Sequence, residues 1–291
     1  MMPREGEIMA LFLVVLAATG HALWNFILKK TALTGMAFLA LLSVTEALLW
    51  TPIALVQVLW EQLLNPLALT AMALSAVLHM VYLGILSVAY RQGDLGLVYP
   101  IARATGPLLS MIFALLVLNE TPGMLGIVGG LGIITGTLLV GIGSLSAKKL
   151  WLSQGVPLAL LCGISIALYT IWDQYAVHTL ALPIIGFYWG SQVLRGLFCL
   201  PWLARHCDQI ALWVKKDWVS LLSIAALSPL VYVVVLWAMT MAPLSLVAPL
   251  RESSILFALL LGKWLLGETV QGNRAMGAGL IVLGLMAMAA A

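Results

Sequence analysis

The sequence predicts an all-α integral membrane protein of ten transmembrane helices, arranged as two inverted five-helix repeats. The first observation is composition: of 291 residues, 63% are hydrophobic and 9% are charged, whereas soluble domains carry about 25% charged residues. The second is a series of ten apolar stretches, each close to the roughly 20 residues that span a bilayer. The third is a set of matches between the two halves of the chain.

The ten stretches follow one another with short connections, apart from the links after Gly143 and Ala204. Short connections make neighbouring helices antiparallel, and the period of two that is typical of strands is missing. Helices satisfy their own backbone hydrogen bonds in lipid, which an open sheet edge does not. The predicted stretches are 8–29, 35–59, 67–90, 94–118, 122–144, 155–177, 183–204, 217–240, 243–266 and 271–290.

The two halves match each other about 149 residues apart. Residues 97–100, Leu-Val-Tyr-Pro, recur as Leu-Val-Ala-Pro at 246–249, and Asn-Glu-Thr at 119–121 returns as Gly-Glu-Thr at 267–269. The polar segment from Gly143 to Gly155 is the natural join. A duplicated membrane unit is typical of secondary transporters.

The domain prediction is therefore a first repeat over residues 1–146 and a second over 155–291. Five helices is an odd number, so two consecutive repeats joined by a short link enter the membrane in opposite senses. The repeats are then related by a pseudo-two-fold axis in the membrane plane.

Ionisable side chains in the middle of membrane spans are the strongest candidates for function, because each is costly on the lipid side and so faces the bundle or a cavity. An interval of 149 residues separates Glu46 from Arg195. The same interval separates Arg103 from Glu252, and the two members of each pair carry opposite charges. We predict that the set lines a central substrate cavity, and the alternative is buried ion pairs without a ligand role. The five are Glu46, Arg103, Arg195, Arg251 and Glu252.

The net charge of these five groups is positive, which favours a substrate with a carboxylate, including a zwitterion. A proton is a candidate coupling ion, with Glu46 or Glu252 as its carrier, because burial in apolar surroundings favours a neutral carboxyl group. The lone histidines His21 and His79 are interpreted as satisfied core residues.

Pro100 and Pro249 are predicted to allow helix bending at corresponding positions of the two halves. Proline inside a helix leaves the carbonyl four residues back without its donor. A charged residue, Arg103 or Glu252, follows one turn later on the same face. Interrupted helices at matching positions indicate a transporter binding site, and a packing kink is the alternative.

Three aromatic residues complete the predicted substrate site: Trp24, Tyr99 and Tyr169. Each lies centrally in its span or beside polar neighbours, where its ring could stack on a ligand. Packing without ligand contact is the alternative for each.

Glycines are concentrated in the fifth and tenth stretches. Gly126 and Gly130, Gly132 and Gly136, and the small residues at 275 and 279 have the spacing that allows close helix approach. These stretches lack mid-span charges, so they are predicted to be scaffold or the surface of a homodimer.

Several classes of function lack sequence support. No metal-binding HExxH, serine elbow or phosphate-binding loop occurs, so no catalytic residue, metal or cofactor is predicted. The net charge of +3 is dispersed over short links, which argues against nucleic-acid binding.

The sequence also resembles the EamA branch of the drug/metabolite transporter superfamily over nearly its whole length. This resemblance implies a ten-helix carrier of the bacterial inner membrane for amino acids, related metabolites or drugs, often an exporter. It also implies a cavity lined by helices one to four and six to nine. The segments that carry it are 99–103 (Tyr-Pro-Ile-Ala-Arg) with Gly106 and Pro107, 118–121 (Leu-Asn-Glu-Thr), Ala248 with Pro249, and 266–269 (Leu-Gly-Glu-Thr).

The orientation stays open. Most Lys and Arg residues lie at odd-numbered links, which places both termini outside the cytoplasm. Members of the resembled family usually have an internal N-terminus and basic residues between helices two and three, where this chain has Glu61 and no base.

The sequence therefore predicts a secondary active transporter whose partners are a small-molecule substrate and the lipid bilayer. The competing class is a membrane enzyme or an assembly subunit without transport, and a channel is a third alternative.

Overall fold

A computed structural model of the chain describes residues 3–31, 35–61, 63–92, 95–142, 155–267, 269–270 and 272–291. Within these residues the elements are helices and their connections, without strands. The predicted join between the repeats, and Glu268 of the second Glu-Thr motif, lie outside them.

Within the described residues, the first half contains five helices, one for each predicted stretch. They are α1 (Pro3–Lys29), α2 (Gly35–Trp60), α3 (Pro66–Gln92), α4 (Leu95–Leu116) and α5 (Gly123–Ile142).

The second half covers the other five predicted stretches, and one of these is divided into two helices. A π-helical turn, Tyr175–Thr179, prolongs its first helix, and a 3₁₀ turn, Arg251–Ser253, separates the fourth helix from the fifth. The helices are α6 (Gly155–Gln174), α7 (Ile184–Ala204), α8 (Cys207–Ala238), α9 (Leu244–Leu250), α10 (Ser254–Leu266) and α11 (Asn273–Ala289).

Two larger differences separate the structure from the sequence prediction. Helix α8 begins at Cys207 instead of residue 217, because the charged segment before Asp217 is helical although it is not apolar; Asp217 itself has non-helical angles (φ −121°, ψ 23°). The ninth stretch, predicted as one span, changes from α-helix to 3₁₀ turn directly after Leu250.

The chain is a multi-pass membrane protein. Among the described residues, eight helical segments are long and apolar enough to cross a membrane, and α9 and α10 together form one of them. Helix α7 is not among these eight, and α11 is a shorter apolar helix of 17 residues.

Large apolar side chains cover the outer surface, as expected for a lipid-facing protein. Phe12 is 63% exposed and Leu48 is 71% exposed. The interior, in contrast, contains charged side chains: Asp173 is 1% exposed and Glu46 is 3% exposed. Because lipid does not solvate polar groups, such side chains are retained inside the bundle.

Helices α5 and α11 pack on each other at very short range. A Cβ atom built on Gly136 would lie 2.6 Å from the carbonyl oxygen of Gly277, and one built on Gly129 would lie 2.7 Å from that of Gly284. Only glycine permits this approach. The glycine-rich fifth and tenth stretches therefore hold the two halves together within the chain, as predicted for a scaffold.

The remaining helices pair across the two halves. Helix α2 packs on α7, α4 packs on α6, and α1 packs on both α8 and α10. Helix α3 contacts α6 and α7. These pairings bring the polar faces of the two halves to a common interior.

Candidate substrate site

An ion pair joins the two halves of the chain at the centre of the bundle. The Arg103 Nε donates to Glu252 Oε2 at 2.9 Å, and its Nη2 donates to Ser254 Oγ at 3.0 Å. A third nitrogen, Nη1, lies 3.5 Å from His21 Nε2. Both predicted charges therefore meet, and His21, which was assigned to the core, belongs to the same site.

Two of the predicted aromatic residues adjoin this ion pair. The guanidinium carbon of Arg103 lies 5.9 Å from the centroid of the Tyr99 ring, within the range of a cation–π contact. Trp24 packs edge-on against His21, with ring centroids 5.0 Å apart. At one end of the polar interior, therefore, the Arg103–Glu252 ion pair lies near the aromatic rings of Tyr99 and Trp24.

Glu46 forms the centre of a second polar group with side chains of α7. Its Oε2 accepts a hydrogen bond from the Tyr188 hydroxyl at 3.1 Å and another from Gln192 Nε2. Residues 188, 192 and 195 lie one turn apart, so they share the face of α7 that meets α2. Arg195 lies close enough to act electrostatically on the Glu46 carboxylate.

Arg195 is buried without a hydrogen-bond partner for its Nε. Only 7% of the residue is exposed, and neither Nε nor the neighbouring Gln192 Oε1 has a partner in the described part of the chain. Its guanidinium carbon lies 5.9 Å from the Tyr188 ring. The Nε of Arg195 is thus a buried donor, and the Oε1 of Gln192 is a buried acceptor, each without a partner among the described residues.

A third polar group, which the sequence analysis missed, surrounds Asp173 of α6. Asp173 Oδ1 accepts from Ser75 Oγ at 2.7 Å, and its Oδ2 accepts from the Tyr232 hydroxyl at 2.5 Å. His79 Nε2 lies 3.8 Å from the same Oδ2. The His79 ring stacks on Tyr169, the third predicted aromatic residue, with centroids 4.2 Å apart.

Asp173 was missed because it lies near the end of its predicted stretch, where charged residues commonly reach the membrane interface. The π-helical turn Tyr175–Thr179 continues the helix beyond this point and keeps Asp173 inside. An acid within a predicted apolar span is a sequence signal that could have identified it. Turns of this kind occur frequently at functional sites.

Aromatic contacts connect the three groups. The Tyr188 and Tyr232 rings lie 5.4 Å apart, and the guanidinium of Arg251 lies 5.6 Å from the Tyr232 ring. Glu46 contacts Tyr188, so these rings connect Glu46 with Arg251. Arg251 directly precedes Glu252 in the chain, and Glu252 forms the ion pair with Arg103. All five predicted charges therefore belong to one continuous interior region.

The cavity beside the Arg103–Glu252 ion pair is nearly closed in this conformation. Its volume of about 10 Å³ has room for roughly one water molecule, so it is much smaller than the central substrate cavity that the sequence predicts. The hydroxyl oxygen of Thr170 at this cavity has no partner among the described residues. The lining residues are Arg103, Pro107, Ser110, Ile166, Tyr169, Thr170, Ala248, Arg251 and Glu252.

The two predicted bending prolines behave differently. Helix α4 continues without interruption through Pro100, which packs against Gly141 of α5. Pro249 lies next to the change into the 3₁₀ turn, and its Cγ would be 3.3 Å from a Cβ atom on Gly130. Both prolines therefore face glycines of the scaffold helix.

Glu120, from the Asn-Glu-Thr motif after α4, fixes the start of α9. Its Oε1 accepts from the backbone N–H of Leu244 at 2.9 Å, and its Oε2 accepts from that of Ser245 at 2.8 Å. A carboxylate on the first free N–H groups of a helix stabilises that end. The end of α4 is thereby tied to the proline-bearing helix of the other half.

Comparisons with known proteins agree with this architecture. Residues 153–290 match the model of the EamA-like transporter family. A solved structure, described as the crystal structure of a protein, superimposes with a TM-score of 0.68 at 14% sequence identity, over 97% of this chain and 96% of that one. At this identity the likeness concerns the fold alone. No curated protein gives a significant match.

Proposed function

We propose that this chain, which belongs to the EamA-like transporter family, is a secondary active transporter that works by alternating access. Its substrates would be small polar or amphipathic metabolites with a carboxylate, such as amino acids, and amphipathic drugs would be a second substrate class. The family match confirms the resemblance found in the sequence, and from that resemblance we propose the bacterial inner membrane as its location and export as its direction.

The helix pairings support a ten-span architecture of two inverted repeats, over residues 1–146 and 155–291. In two such repeats each helix of the first half has a counterpart in the second, and replacing every helix by its counterpart converts the observed pairs into one another. The counterparts are α1 and α6, α2 and α7, α3 and α8, α4 and α9–α10, and α5 and α11. The pair α4–α6 becomes α10–α1, the pair α1–α8 becomes α6–α3, and α3–α7 becomes α8–α2. The pairs α5–α11 and α2–α7 are unchanged, as expected for helices beside an axis.

The observation that carries the proposal is the Nε–H of buried Arg195, which has no acceptor among the described residues. A buried donor without an acceptor costs free energy. A substrate carboxylate would supply the missing acceptor, and guanidinium binds carboxylates with two parallel hydrogen bonds. We therefore propose Arg195, with the adjacent Gln192 and Glu46, as the place where the substrate's polar group binds.

The remaining predicted residues would surround the rest of the substrate. Tyr169 and Arg251 border the small cavity next to the Arg103–Glu252 pair, and Trp24 and Tyr99 flank that pair from the side of the first half. Ligand pockets commonly have volumes of about 300–1,000 Å³. The present interior is far smaller, so we interpret it as an occluded conformation that must open on one side to admit a substrate.

Opening by alternating access would part the contacts that join the halves. The Arg103–Glu252 ion pair and the Glu120 cap on α9 are two such contacts. Pro100 and Pro249, each packed against α5, would give the moving helices a place to bend over the scaffold.

Transport in proteoliposomes tests this proposal. The protein would be reconstituted and supplied with a carbon-14-labelled mixture of the standard amino acids. We expect saturable transport by the wild type and its loss in Arg195→Gln. The matched control is Arg205→Gln, because Arg205 follows α7 and is exposed.

Other outcomes would favour the competing classes. Equal transport by Arg195→Gln and the wild type would contradict the assigned site. Flux that does not saturate would indicate a channel, and strict dependence on a second protein would indicate an assembly subunit.

A further inference from the structure

We propose that His79 and Asp173 form the proton-binding site of the transporter, and that a proton binds there together with an anionic substrate. The inference rests on the proposed function. It assigns proton coupling to a pair of side chains other than Glu46 and Glu252, the carriers expected from the sequence.

The geometry leaves a place for one shared proton between the two side chains. His79 Nδ1 lies 2.9 Å from the carbonyl oxygen of Ser75, so we assign the proton of the neutral ring to Nδ1, which donates to that oxygen. Nε2 is then an acceptor and lies 3.8 Å from Asp173 Oδ2. One added proton would convert two facing acceptors into a charge-assisted hydrogen bond.

The pair is enclosed and held in place. Asp173 is 1% exposed and His79 is 8% exposed. The hydroxyls of Ser75 and Tyr232 fix the two carboxylate oxygens, and the stacked Tyr169 ring fixes the imidazole plane. Such a site can hold a proton away from water while the carrier changes conformation.

Protonation would also alter a contact between the two halves. His79 belongs to α3 and Asp173 belongs to α6, and these helices pack on each other. A proton shared between them would draw the two side chains together, so the protonated and deprotonated forms favour different packings of α3 on α6. A ligand shifts a conformational equilibrium only through such a difference.

The surrounding charges link the proton to the substrate. Arg195 and Arg251 both act electrostatically on His79 and on Asp173. A substrate carboxylate bound to these guanidinium groups would offset their repulsion of an added proton. The other titratable groups facing the pair or next to it are Tyr169 on α6, Tyr188 on α7 and Tyr232 on α8, while Glu46 on α2 and Arg103 on α4 are engaged with partners of their own.

Thermodynamic linkage makes this effect reciprocal: if the anion strengthens proton binding, the proton strengthens anion binding by the same factor. The doubly loaded carrier is therefore the favoured species. Proton and anion would cross in the same direction, one proton for each substrate. Export would then run against the inward proton gradient of a bacterial inner membrane, so an outward substrate gradient would have to drive it.

A measurement without substrate tests the pair itself. In protein labelled with carbon-13 histidine, the His79 imidazole signal would be assigned through its loss in His79→Gln and followed as the pH is varied. We expect this signal to titrate in the wild type, and to titrate at a different pH in Asp173→Asn but not in the control Asp208→Asn, since Asp208 is exposed at the start of α8. A His79 signal that does not titrate, or that titrates identically in Asp173→Asn, would overturn the proposal.

A transport experiment tests the coupling. With the labelled amino-acid mixture, we expect a pH gradient to drive accumulation by the wild type and by the controls His178→Gln and Asp208→Asn, whose side chains are exposed. His79→Gln and Asp173→Asn should lose this accumulation but still exchange labelled for unlabelled substrate, which also shows that they fold. Gradient-driven accumulation by Asp173→Asn would contradict the inference, whereas a wild type that carries none of the amino acids would contradict the proposed substrate class and leave the histidine titration to decide the proton site.

Discussion

Arg103 and Glu252 lie 149 positions apart in the chain, and their side chains form an ion pair with Nε and Oε2 2.9 Å apart. The same interval separates Glu46 from Arg195, and these two also interact electrostatically. Residues at equivalent positions of two repeats can contact each other only near the axis that relates the repeats. In the proposed architecture, therefore, both pairs mark the pseudo-two-fold axis, and the substrate would bind on it.

Removing one partner of the Arg103–Glu252 pair should destabilise the protein strongly. Either Arg103→Gln or Glu252→Gln leaves an uncompensated buried charge, which costs about 3–5 kcal/mol. The double variant removes both charges and should cost much less than the sum. Unfolding free energies of the four proteins measure this in a double-mutant cycle, with Arg91→Gln on the surface as a control. Additive effects would show that the two side chains do not interact.

Replacing Arg195 should cost less stability than replacing Arg103. Arg195→Met leaves the Glu46 carboxyl group without its nearby positive charge. It also removes a buried Nε–H that has no acceptor among the described residues, and the penalty of such a group, about 1–3 kcal/mol, offsets this loss. We expect a thermal midpoint above that of Arg103→Gln, together with loss of transport. A midpoint that falls as far as that of Arg103→Gln would mean that Arg195 serves the fold and not the substrate.

Glu120 should stabilise the start of α9 through its two hydrogen bonds. Glu120→Ala removes both acceptors, and losses of helix caps typically cost about 1 kcal/mol. Glu120→Gln keeps one oxygen and should cost less. Hydrogen exchange at the amides of Leu244 and Ser245 reports the change locally, and exposed Glu61→Ala is the control. Unaltered exchange at both amides in Glu120→Ala would exclude the cap.

The close packing of α5 on α11 predicts different responses from glycines in the same helix. Gly277→Ala would place a methyl group 2.6 Å from the carbonyl oxygen of Gly136 and should force the helices apart, at a cost typical of overpacking, about 1–3 kcal/mol. Gly279→Ala meets no atom within 4 Å and should be neutral or stabilising, because alanine favours helix by about 1 kcal/mol. Thermal unfolding distinguishes them, and equal midpoints would contradict this account of the interface.

Much of the fold could be predicted from the sequence because membrane helices are specified by the length of apolar runs. The start of α8 could not be predicted in this way, because its first turns are not part of an apolar run. They carry the charged residues Asp208, Lys215 and Lys216. The change of helix type at Arg251 was also beyond the sequence. Pro100 and Pro249 hold equivalent positions, yet only the second adjoins such a change, so tertiary packing decides the outcome.

The site could be predicted in part for a similar reason. The interval of 149 residues related Arg103 to Glu252 before any contact was known, because equivalent positions of the two proposed repeats meet near the axis that would relate them. The hydrogen bonds of Asp173 come from residues on α3 and α8 that are far away in sequence, so no local sequence pattern predicts them. Likewise, only the packed interior shows that Arg195 lacks an acceptor.

A structure with bound substrate tests the central claim most directly, namely that the two halves hold an anionic substrate between them near their common axis. The account predicts the substrate carboxylate within hydrogen-bond distance of the Arg195 guanidinium, next to a cavity widened from its present volume of about 10 Å³. A substrate bound on the outer surface, with the Arg195 Nε still without an acceptor and this cavity still closed, would contradict it.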